Sequence, residues 1–246
     1  MPRPYLSVII PAWNEAARLP LTPVDVDRHL AAQDFTYEVI VVVSPSDDNT
    51  LDIVRRFESI IKNLRVIALI ENRGRGFALI EGMRAAKGMY RLTMDADNST
   101  TIIEFAKMLP YLTSEHDRYD LVIGSRYLPG SQIDPPSPLT LRILGSITRL
   151  LVRIFLIQKI SDPNARFKAF SASAAEKIVP LCKLHGWGID LESITLAKRL
   201  GYAIKEVPVA WSYDPGTQQA TSKRDLSEYL RLWWNLVHHR YQLPKG

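Results

Sequence analysis

The sequence predicts an α/β fold in which helices flank a mostly parallel, Rossmann-like sheet, and two observations support this prediction. Short apolar runs that are typical of buried strands alternate with stretches of helical period through the first half of the 246-residue chain. The connection between successive runs is long enough for a helix, as in parallel strands joined by right-handed crossovers.

Five apolar runs are predicted to be strands, and each is followed by polar or turn-forming residues. They occupy residues 6–10, 37–43, 64–70, 89–94 and 121–124. Pro11 is expected to end the first of them. Because the carboxyl ends of parallel strands meet at one edge of a sheet, we expect the residues that follow these strands to line one crevice.

Four helices are predicted between the strands. Thr22 is expected to cap the first, with Pro23 at the first helical position. The second is capped by the polar residues 46–48 and runs over about 49–61, with an apolar stripe along one face. The third covers 76–86, and the fourth begins with Ser99 or Thr100 as its cap and ends at Leu112.

Two carboxylates follow the fourth predicted strand. Asp95 and Asp97 are separated only by Ala96, so two hard oxygen ligands lie at the carboxyl edge of the sheet. Such ligands suit Mg²⁺ or Mn²⁺, and a nucleotide diphosphate is the usual partner of such an ion. The alternative is a surface loop whose two acids bind nothing.

Composition limits the classes of protein that remain. The length suits one large α/β domain or a domain with a small appendage. The net charge of +5 and the pI of about 9.3 fit an anionic membrane, a phosphate substrate or nucleic acid, but no motif favours nucleic acid. The single Cys182 excludes an intrachain disulfide and a cysteine zinc site. No run of eighteen apolar residues and no signal peptide are evident, so we expect no transmembrane helix.

Several short motifs, taken in order and with their spacing, resemble glycosyltransferase family 2. The match covers roughly residues 5–215. Within the family, the pattern is most similar to dolichyl- or polyprenyl-phosphate glucose or mannose synthases. The motifs are Leu6–Glu15, Asn72–Gly76, Asp95–Asp97, Gly124–Arg126, Asp162–Phe170, Trp187–Glu192, Gly201–Tyr202 and Glu206–Val209.

The resemblance implies a GT-A-type fold and a division of the chain. Residues 1–215 would form the glycosyltransferase domain, with a nucleotide-binding half at 1–127 and an acceptor half at 128–215. Residues 216–246 would form a loop and an amphipathic helix. The implied reaction is an inverting, metal-dependent transfer of a hexose from UDP-glucose or GDP-mannose to a polyprenyl or dolichyl phosphate.

The resemblance also assigns donor-side residues. It places a Mg²⁺ or Mn²⁺ ion at Asp95, Asp97 and Ser99, with Asp97 as the direct ligand. Ser99 stands where related mannose synthases carry Gln, and Ser44 stands where the family usually has the Asp that faces the nucleobase. The choice between uridine and guanosine as the nucleoside of the donor therefore remains open. The expected contacts to the nucleotide sugar are Pro11, Trp13, Glu15, Val42, Ser44, Arg75, Asp95, Ala96 and Asp97.

On the acceptor side, we expect three cations to hold the phosphate. A lipid phosphate is already ionised near neutral pH, so it needs no general base. It needs cations instead, because two phosphate-bearing substrates repel each other. Arg126, Arg166 and Lys168 are the candidates and join Asp97 as the expected catalytic residues. Two alternatives stay open: a soluble or saccharide hydroxyl acceptor with Asp190 or Glu192 as base, and a non-catalytic protein that binds sugar nucleotides.

Two basic, apolar segments favour contact with a membrane surface. Residues 135–160 contain no acidic residue, and residues 226–241 carry Tyr229, Trp233, Trp234 and Tyr241. Aromatic residues next to cations are typical of interfacial helices. We therefore expect a cytoplasmic protein bound peripherally at the cytosolic face of a membrane. The alternative is that both helices pack on the sheet or at a dimer interface.

Overall fold

A seven-stranded sheet lies at the centre of the computed structural model. The structure describes residues 3–135, 146, 149–150, 152, 157, 159–212, 223–237 and 241. Within them the strand order is β3-β2-β1-β4-β7-β5-β8, and β6 and β9 form a separate parallel pair. The strands are β1 (Leu6–Ala12), β2 (Tyr37–Val43), β3 (Leu64–Ala68), β4 (Tyr90–Thr93), β5 (Leu121–Ser125), β6 (Gln132–Asp134), β7 (Lys168–Ser171), β8 (Ile204–Pro208) and β9 (Ala210–Ser212).

Helices connect most of these strands and cover both faces of the sheet. Two short 3₁₀ helices lie at Ile102–Lys107 and Val179–Leu181. The α-helices within the described ranges are α1 (Leu21–Leu30), α2 (Thr50–Ile60), α3 (Arg75–Ala85), α4 (Leu109–Thr113), α5 (Ala172–Ile178), α6 (Ile189–Arg199) and α7 (Lys223–Val237).

Strand β1 is buried along its whole length because it lies between β2 and β4 in parallel pairing. Its side chains alternate between two cores. Val8 and Ile10 belong to one apolar cluster, whereas Ile9 belongs to the other, where it packs with Ile40 and Val42 of β2. Because both faces of the sheet are covered at this position, every residue of β1 except Ser7 is apolar.

The five predicted strands are confirmed, with differences at their ends. Pro11 does not end β1, because pairing with β2 continues as far as Ala12 opposite Val43. The strand β3 stops at Ala68, two residues before the predicted end, and the side chain of Ile70 is 98% exposed. The mostly parallel sheet is also confirmed, but β7 is antiparallel to both β4 and β5.

Two predicted helix starts are wrong. Thr22 is not a cap: it lies inside α1, and its hydroxyl donates a 2.6 Å hydrogen bond to the Ala96 carbonyl. The predicted helix from Ser99 or Thr100 to Leu112 is divided into a 3₁₀ helix and α4. Pro110 explains the division, because a proline removes an amide donor and its ring clashes with the preceding turn.

The predicted basic helix at 135–160 lies mostly outside the described residues. Helix α7 corresponds to the predicted C-terminal helix over its described range, Lys223–Val237, and Tyr241 is buried. Tyr241 is therefore not the exposed interfacial anchor that we expected, because its hydroxyl donates to Glu192. Among the described residues, no helix combines the length and apolar character needed to cross a membrane.

Candidate active site

Asp95, two residues after the end of β4, is held by two arginines. Arg75, from the first turn of α3, donates to Oδ1 at 2.9 Å from Nη2 and 3.2 Å from Nε. Arg166, from the loop before β7, donates to Oδ2 from Nη1 at 3.1 Å. Burial opposes ionisation of Asp95, but the two guanidinium groups outweigh it and lower the pKa to about 2. Both oxygens of this carboxylate are thus already engaged by cations.

Asp97 is less neutralised than Asp95. Its Oδ1 accepts a 3.0 Å hydrogen bond from the Ser99 amide, and its Oδ2 lies 3.8 Å from Nη1 of Arg18. Burial raises the pKa of Asp97, and the charge of Asp95 raises it further. A buried carboxylate with little compensating charge attracts a cation. Asp97 is therefore the better placed of the two acids to bind a metal ion directly.

Glu15 and Arg18 form a second charged pair beside Asp97. Arg18 donates to the two oxygens of Glu15 at 2.6 and 2.8 Å. Burial raises the pKa of Glu15 to about 7 against the effect of Arg18, with smaller contributions from Asp97 and Asp95. Sequence reasoning missed Arg18. Its position three residues after Glu15 was the available signal, because that spacing allows an ion pair across one turn.

The loops after β1 and β2 are bonded to each other. The Asn14 amide donates to Oγ of Ser46 at 3.1 Å, and the Asp47 amide donates back to Oδ1 of Asn14 at 2.9 Å. The Ser44 amide donates to the Ala12 carbonyl at 3.0 Å. These bonds confirm that the two loops converge at the carboxyl edge.

The residues that we expected to contact the nucleotide differ in how far their side chains are exposed. Trp13 is half exposed, and Ser44 is 2% exposed. Val42 is fully buried in the apolar core. Its side chain therefore does not reach a nucleotide, and only its backbone remains for such a contact. Pro11 and Ala96 are also buried, so the same limit applies to them.

Arg126 is fixed in a bidentate ion pair with the buried Asp162. The distances are 2.8 Å from Nε to Oδ2 and 2.9 Å from Nη2 to Oδ1. Its guanidinium also lies against Trp211, 5.3 Å from the ring centroid. A small pocket beside Asp95 brings Asp95 and Ser99 of the expected metal site together with Arg126 and Arg166 of the expected acceptor site. Its walls are Asp95, Ser99, Thr100, Gly124, Arg126, Arg166, Phe167 and Trp211.

Lys168 does not match its expected role. Its side chain is almost fully buried, and its ammonium group donates to the Ala165 carbonyl and to Asp190. Burial lowers the pKa of Lys168, although Asp190 opposes this shift. Lys168 is therefore not placed to bind an acceptor phosphate directly, because its ammonium group is paired with Asp190. Of the three expected cations, Arg126 and Arg166 line the pocket.

The two candidate bases are also committed to internal contacts. Asp190 binds Lys168 and accepts a 2.7 Å hydrogen bond from Nη1 of Arg75. Glu192 accepts from the amides of Lys183 and Leu184, both at 2.9 Å, and from the Tyr241 hydroxyl. Burial raises the pKa of Glu192. Neither carboxylate is open to an acceptor hydroxyl in this structure.

Asp97 and Ser99 offer oxygen atoms of the kind that a hard divalent cation binds, although the described residues bring no three His, Cys, Asp or Glu side chains together as a metal site. The Asp97 carboxylate carries little compensating charge, and Ser99, two residues further along the chain, lines the pocket beside Asp95. Ser99 is not a helix cap, since the following 3₁₀ helix begins at Ile102 with Thr101 before it. Oxygen ligands of this kind suit Mg²⁺ or Mn²⁺.

The order of the sheet and the acidic pair at its carboxyl edge define the class of protein, a glycosyltransferase with the GT-A fold. Glucosyl-3-phosphoglycerate synthase from Mycobacterium tuberculosis, solved with Mn²⁺, UDP-glucose and phosphoglyceric acid, has this fold. It matches with a TM-score of 0.66 at 23% identity, covering 94% of this chain and 80% of that one. The Glycosyl transferase family 2 model matches residues 7–179, and the chain belongs to that family.

Two similar relatives are dolichyl-phosphate beta-glucosyltransferases. The protein from Dictyostelium discoideum is 31% identical over 223 residues, covering 87% of this chain and 68% of the relative. The protein from Drosophila melanogaster is 34% identical over 227 residues, with the same coverage of 87% and 68%. A mannosyltransferase from Pyrobaculum calidifontis, solved with GDP-Man and Mn²⁺, has a TM-score of 0.64 at 20% identity and covers 98% of this chain and 66% of that one.

Proposed function

We propose that this glycosyltransferase transfers a hexose from a nucleotide sugar to a polyprenyl or dolichyl phosphate at a membrane surface. The observation that carries the proposal is the commitment of Asp190 and Glu192 to internal contacts. An acceptor hydroxyl needs a general base, whereas a phosphate monoester arrives as a nucleophilic anion. The names of the two relatives agree with this acceptor and favour glucose as the hexose.

The donor side would be organised around Asp97. Asp97, with Ser99 beside it, would hold Mg²⁺ or Mn²⁺. This ion would neutralise the charge of the diphosphate leaving group. In this proposal Asp95 acts through Arg75 and Arg166, since both of its oxygens bind those side chains.

The nucleoside would lie over the loops that follow β1 and β2. Trp13 and Glu15 would contact it with their side chains, Ser44 with its backbone or hydroxyl, and Pro11, Val42 and Ala96 with their backbone. Because Ser44 replaces the aspartate that usually faces the nucleobase in this family, both UDP-glucose and GDP-mannose remain candidate donors.

The acceptor phosphate would bind near Arg126 and Arg166. Both line the pocket beside Asp95. A guanidinium group suits a phosphate because it donates two parallel hydrogen bonds. A phosphate oxygen would attack the anomeric carbon while the bond from that carbon to the diphosphate breaks, so one displacement inverts the configuration. By holding both substrates, these two arginines would weaken the repulsion between them and lower the entropic cost of bringing them together.

A hydroxyl acceptor is the weaker candidate, because its two candidate bases are the residues already committed. Glu192→Gln tests it directly. Loss of a general base costs about 10²- to 10⁴-fold in rate. We expect a far smaller loss of kcat for Glu192→Gln, together with a lower melting temperature. A loss within the full range for a base, with unchanged stability, would restore the hydroxyl acceptor.

Membrane contact would be made by the outer face of α7. Leu230 is 60% exposed, Trp233 44% and Trp234 48%. Arg231, on the same helix, is also exposed. Apolar and aromatic residues next to a cation are the pattern of a helix that lies in a membrane interface. We place the protein peripherally on the cytosolic face of the membrane.

The decisive experiment supplies radiolabelled UDP-glucose or GDP-mannose with dolichyl phosphate and Mg²⁺ or Mn²⁺. We expect one donor to give label that extracts into organic solvent and is released by mild acid. Omission of the lipid phosphate or addition of EDTA should abolish this label. Transfer only to water-soluble acceptors, or turnover that survives EDTA, would refute the proposal.

A further inference from the structure

We infer that α7 is a part of the active site, because Glu228 on this helix positions Trp187 against the two arginines that bind Asp95. This inference rests on nucleotide-sugar binding in the proposed function but not on the identity of the acceptor. Glu228 would be a positioning residue, since it acts through the Gly186–Gly188 segment and not on the substrate.

Glu228 binds the backbone on both sides of Trp187. The Gly186 amide donates to Oε1 at 2.9 Å, and the Gly188 amide donates to Oε2 at 2.6 Å. Hydrogen bonds to a charged carboxylate are among the stronger ones in proteins. The close approach needs glycine, because a Cβ atom at Gly186 would lie 2.3 Å from Oε1 of Glu228. The carboxylate therefore fixes the peptide groups that carry the indole.

Trp187 in turn contacts both arginines of the Asp95 cluster. The guanidinium carbon of Arg166 lies 4.3 Å from the centroid of the indole ring, and that of Arg75 lies 5.2 Å away. Cations at such distances from a tryptophan face are attracted by the ring quadrupole. The indole thus restrains both guanidinium groups while their N–H groups bind Asp95.

The same segment is packed against the start of α3, which carries Arg75. The Phe77 amide donates to the His185 carbonyl at 3.1 Å. A Cβ atom at Gly74 would lie 2.6 Å from the His185 oxygen, and one at Gly76 would lie 2.7 Å from the Leu184 oxygen. Residues 184–188 therefore fill the space between α3 and α7. A displacement of α7 would reach Arg75 through this contact as well as through Trp187.

Buried residues on the inner face of α7 anchor the helix, and with it Glu228, beside the active site. Leu232 is fully buried and Asn235 is 5% exposed, and both lie one or two turns after Glu228 on the helix. Leu230, Trp233 and Trp234 are exposed on the same helix. One face therefore anchors the helix beside the active site while the other remains available for the membrane.

A double-mutant cycle in Mn²⁺-dependent binding of UDP-glucose and GDP-mannose tests the inference. We expect Trp187→Ala and Glu228→Ala each to weaken binding about tenfold, as expected for lost cation–π restraint. The double variant should be no weaker than Trp187→Ala alone, because both changes remove the same restraint. Trp187→Phe should recover most of the affinity. Glu81→Ala, which removes an exposed ion pair with Arg84 on α3, is the matched control.

A second readout does not depend on the donor. In protein labelled with 5-fluorotryptophan, the ¹⁹F signal of Trp187 is assigned by its loss in Trp187→Phe. We expect Glu228→Ala to shift this signal and Glu81→Ala to leave it unchanged. An unshifted Trp187 signal in Glu228→Ala, or additive effects in the cycle, would overturn the inference. Failure of wild-type protein to bind either sugar nucleotide would count against the proposed function alone, since the ¹⁹F measurement still decides the position of Trp187.

Discussion

Lys168 of β7 and Asp190 of α6 form an ion pair that is almost completely excluded from solvent. Asp190 also binds Arg75 at the start of α3, so one carboxylate joins three elements of the structure. The pair supports the Asp95 cluster from within the protein because Arg75 belongs to both sets of contacts.

Lys168→Met should destabilise the protein and not specifically weaken acceptor binding. Removing one partner of a buried pair costs about 3–5 kcal/mol. We expect a value near 3 kcal/mol, since Asp190 keeps Arg75. Urea unfolding measures the change. Arg73→Met, which breaks the exposed pair with Glu71, should cost at most about 1 kcal/mol. Unchanged stability with a raised KM for the lipid phosphate would return Lys168 to the acceptor site.

Asp97→Asn should remove metal-dependent activity more completely than it changes folding. A bound metal supplies several kcal/mol of charge stabilisation, so we expect kcat to fall on the order of 10³-fold. Mn²⁺ affinity, measured by electron paramagnetic resonance, should fall with it. Asp95→Asn is the comparison: it should loosen Arg75 and Arg166 but reduce Mn²⁺ affinity less. The reverse order of Mn²⁺ affinities would exchange the roles of the two acids.

Glu15 should make the stability of the metal-free protein depend on pH near neutrality. Burial raises its pKa from 4.5 to about 7, so the folded state retains a proton that the unfolded state loses between these values. This contribution to stability is complete below about pH 4.5 and is lost as the pH rises through about 7. In EDTA, raising the pH from about 4.5 to above 7 should therefore lower the unfolding free energy of the wild type by about 1 kcal/mol relative to that of Glu15→Gln.

The corresponding control replaces a glutamate whose side chain is 31% exposed. Glu81→Gln should follow the wild-type profile across the same pH range, because its side chain lies at the surface of α3 beside Arg84. A wild-type profile parallel to that of Glu15→Gln would show that Glu15 is already ionised in the folded protein.

Trp233→Ser combined with Trp234→Ser should weaken binding to vesicles that contain anionic phospholipids. Each indole is about half exposed, and burying this apolar area in a bilayer interface is worth roughly tenfold or more in affinity for the pair. Sedimentation with vesicles measures the loss. Ile60→Ser combined with Ile70→Ser removes exposed apolar groups elsewhere and should have little effect. Equal losses for both double variants would argue against a specific face on α7.

The strands of the first half were predicted well because a continuous run of apolar residues is by itself enough to indicate a buried strand. The run at β2 is apolar along most of its length, and its predicted limits, Tyr37 and Val43, are the observed ones. The acids Asp95 and Asp97 were found for a similar reason, since a strand end places adjacent residues at the edge of the sheet. In these cases the neighbours along the chain determine the environment.

The elements that prediction missed depend on distant partners. Strand β7 begins with a lysine, whose buried ammonium group is stabilised by Asp190 and by the Ala165 carbonyl. Glu192 resembled a catalytic base, but the amides of Lys183 and Leu184 surround it. Such contacts appear only when the fold brings the residues together, so spacing alone could not reveal them.

The insertion of β7 between β4 and β5 has a consequence for synthesis on the ribosome. Strand β4 emerges early, but the neighbour that pairs with its second edge is translated much later. Until then the edge exposes unpaired backbone groups, which are prone to wrong pairing with other chains. The nascent chain also lacks Arg166, which follows β5 and precedes β7, so Asp95 gains its second arginine only at this stage. Insertion of β7 between its two neighbours and binding of Asp95 by its second arginine therefore become possible at the same late stage of synthesis.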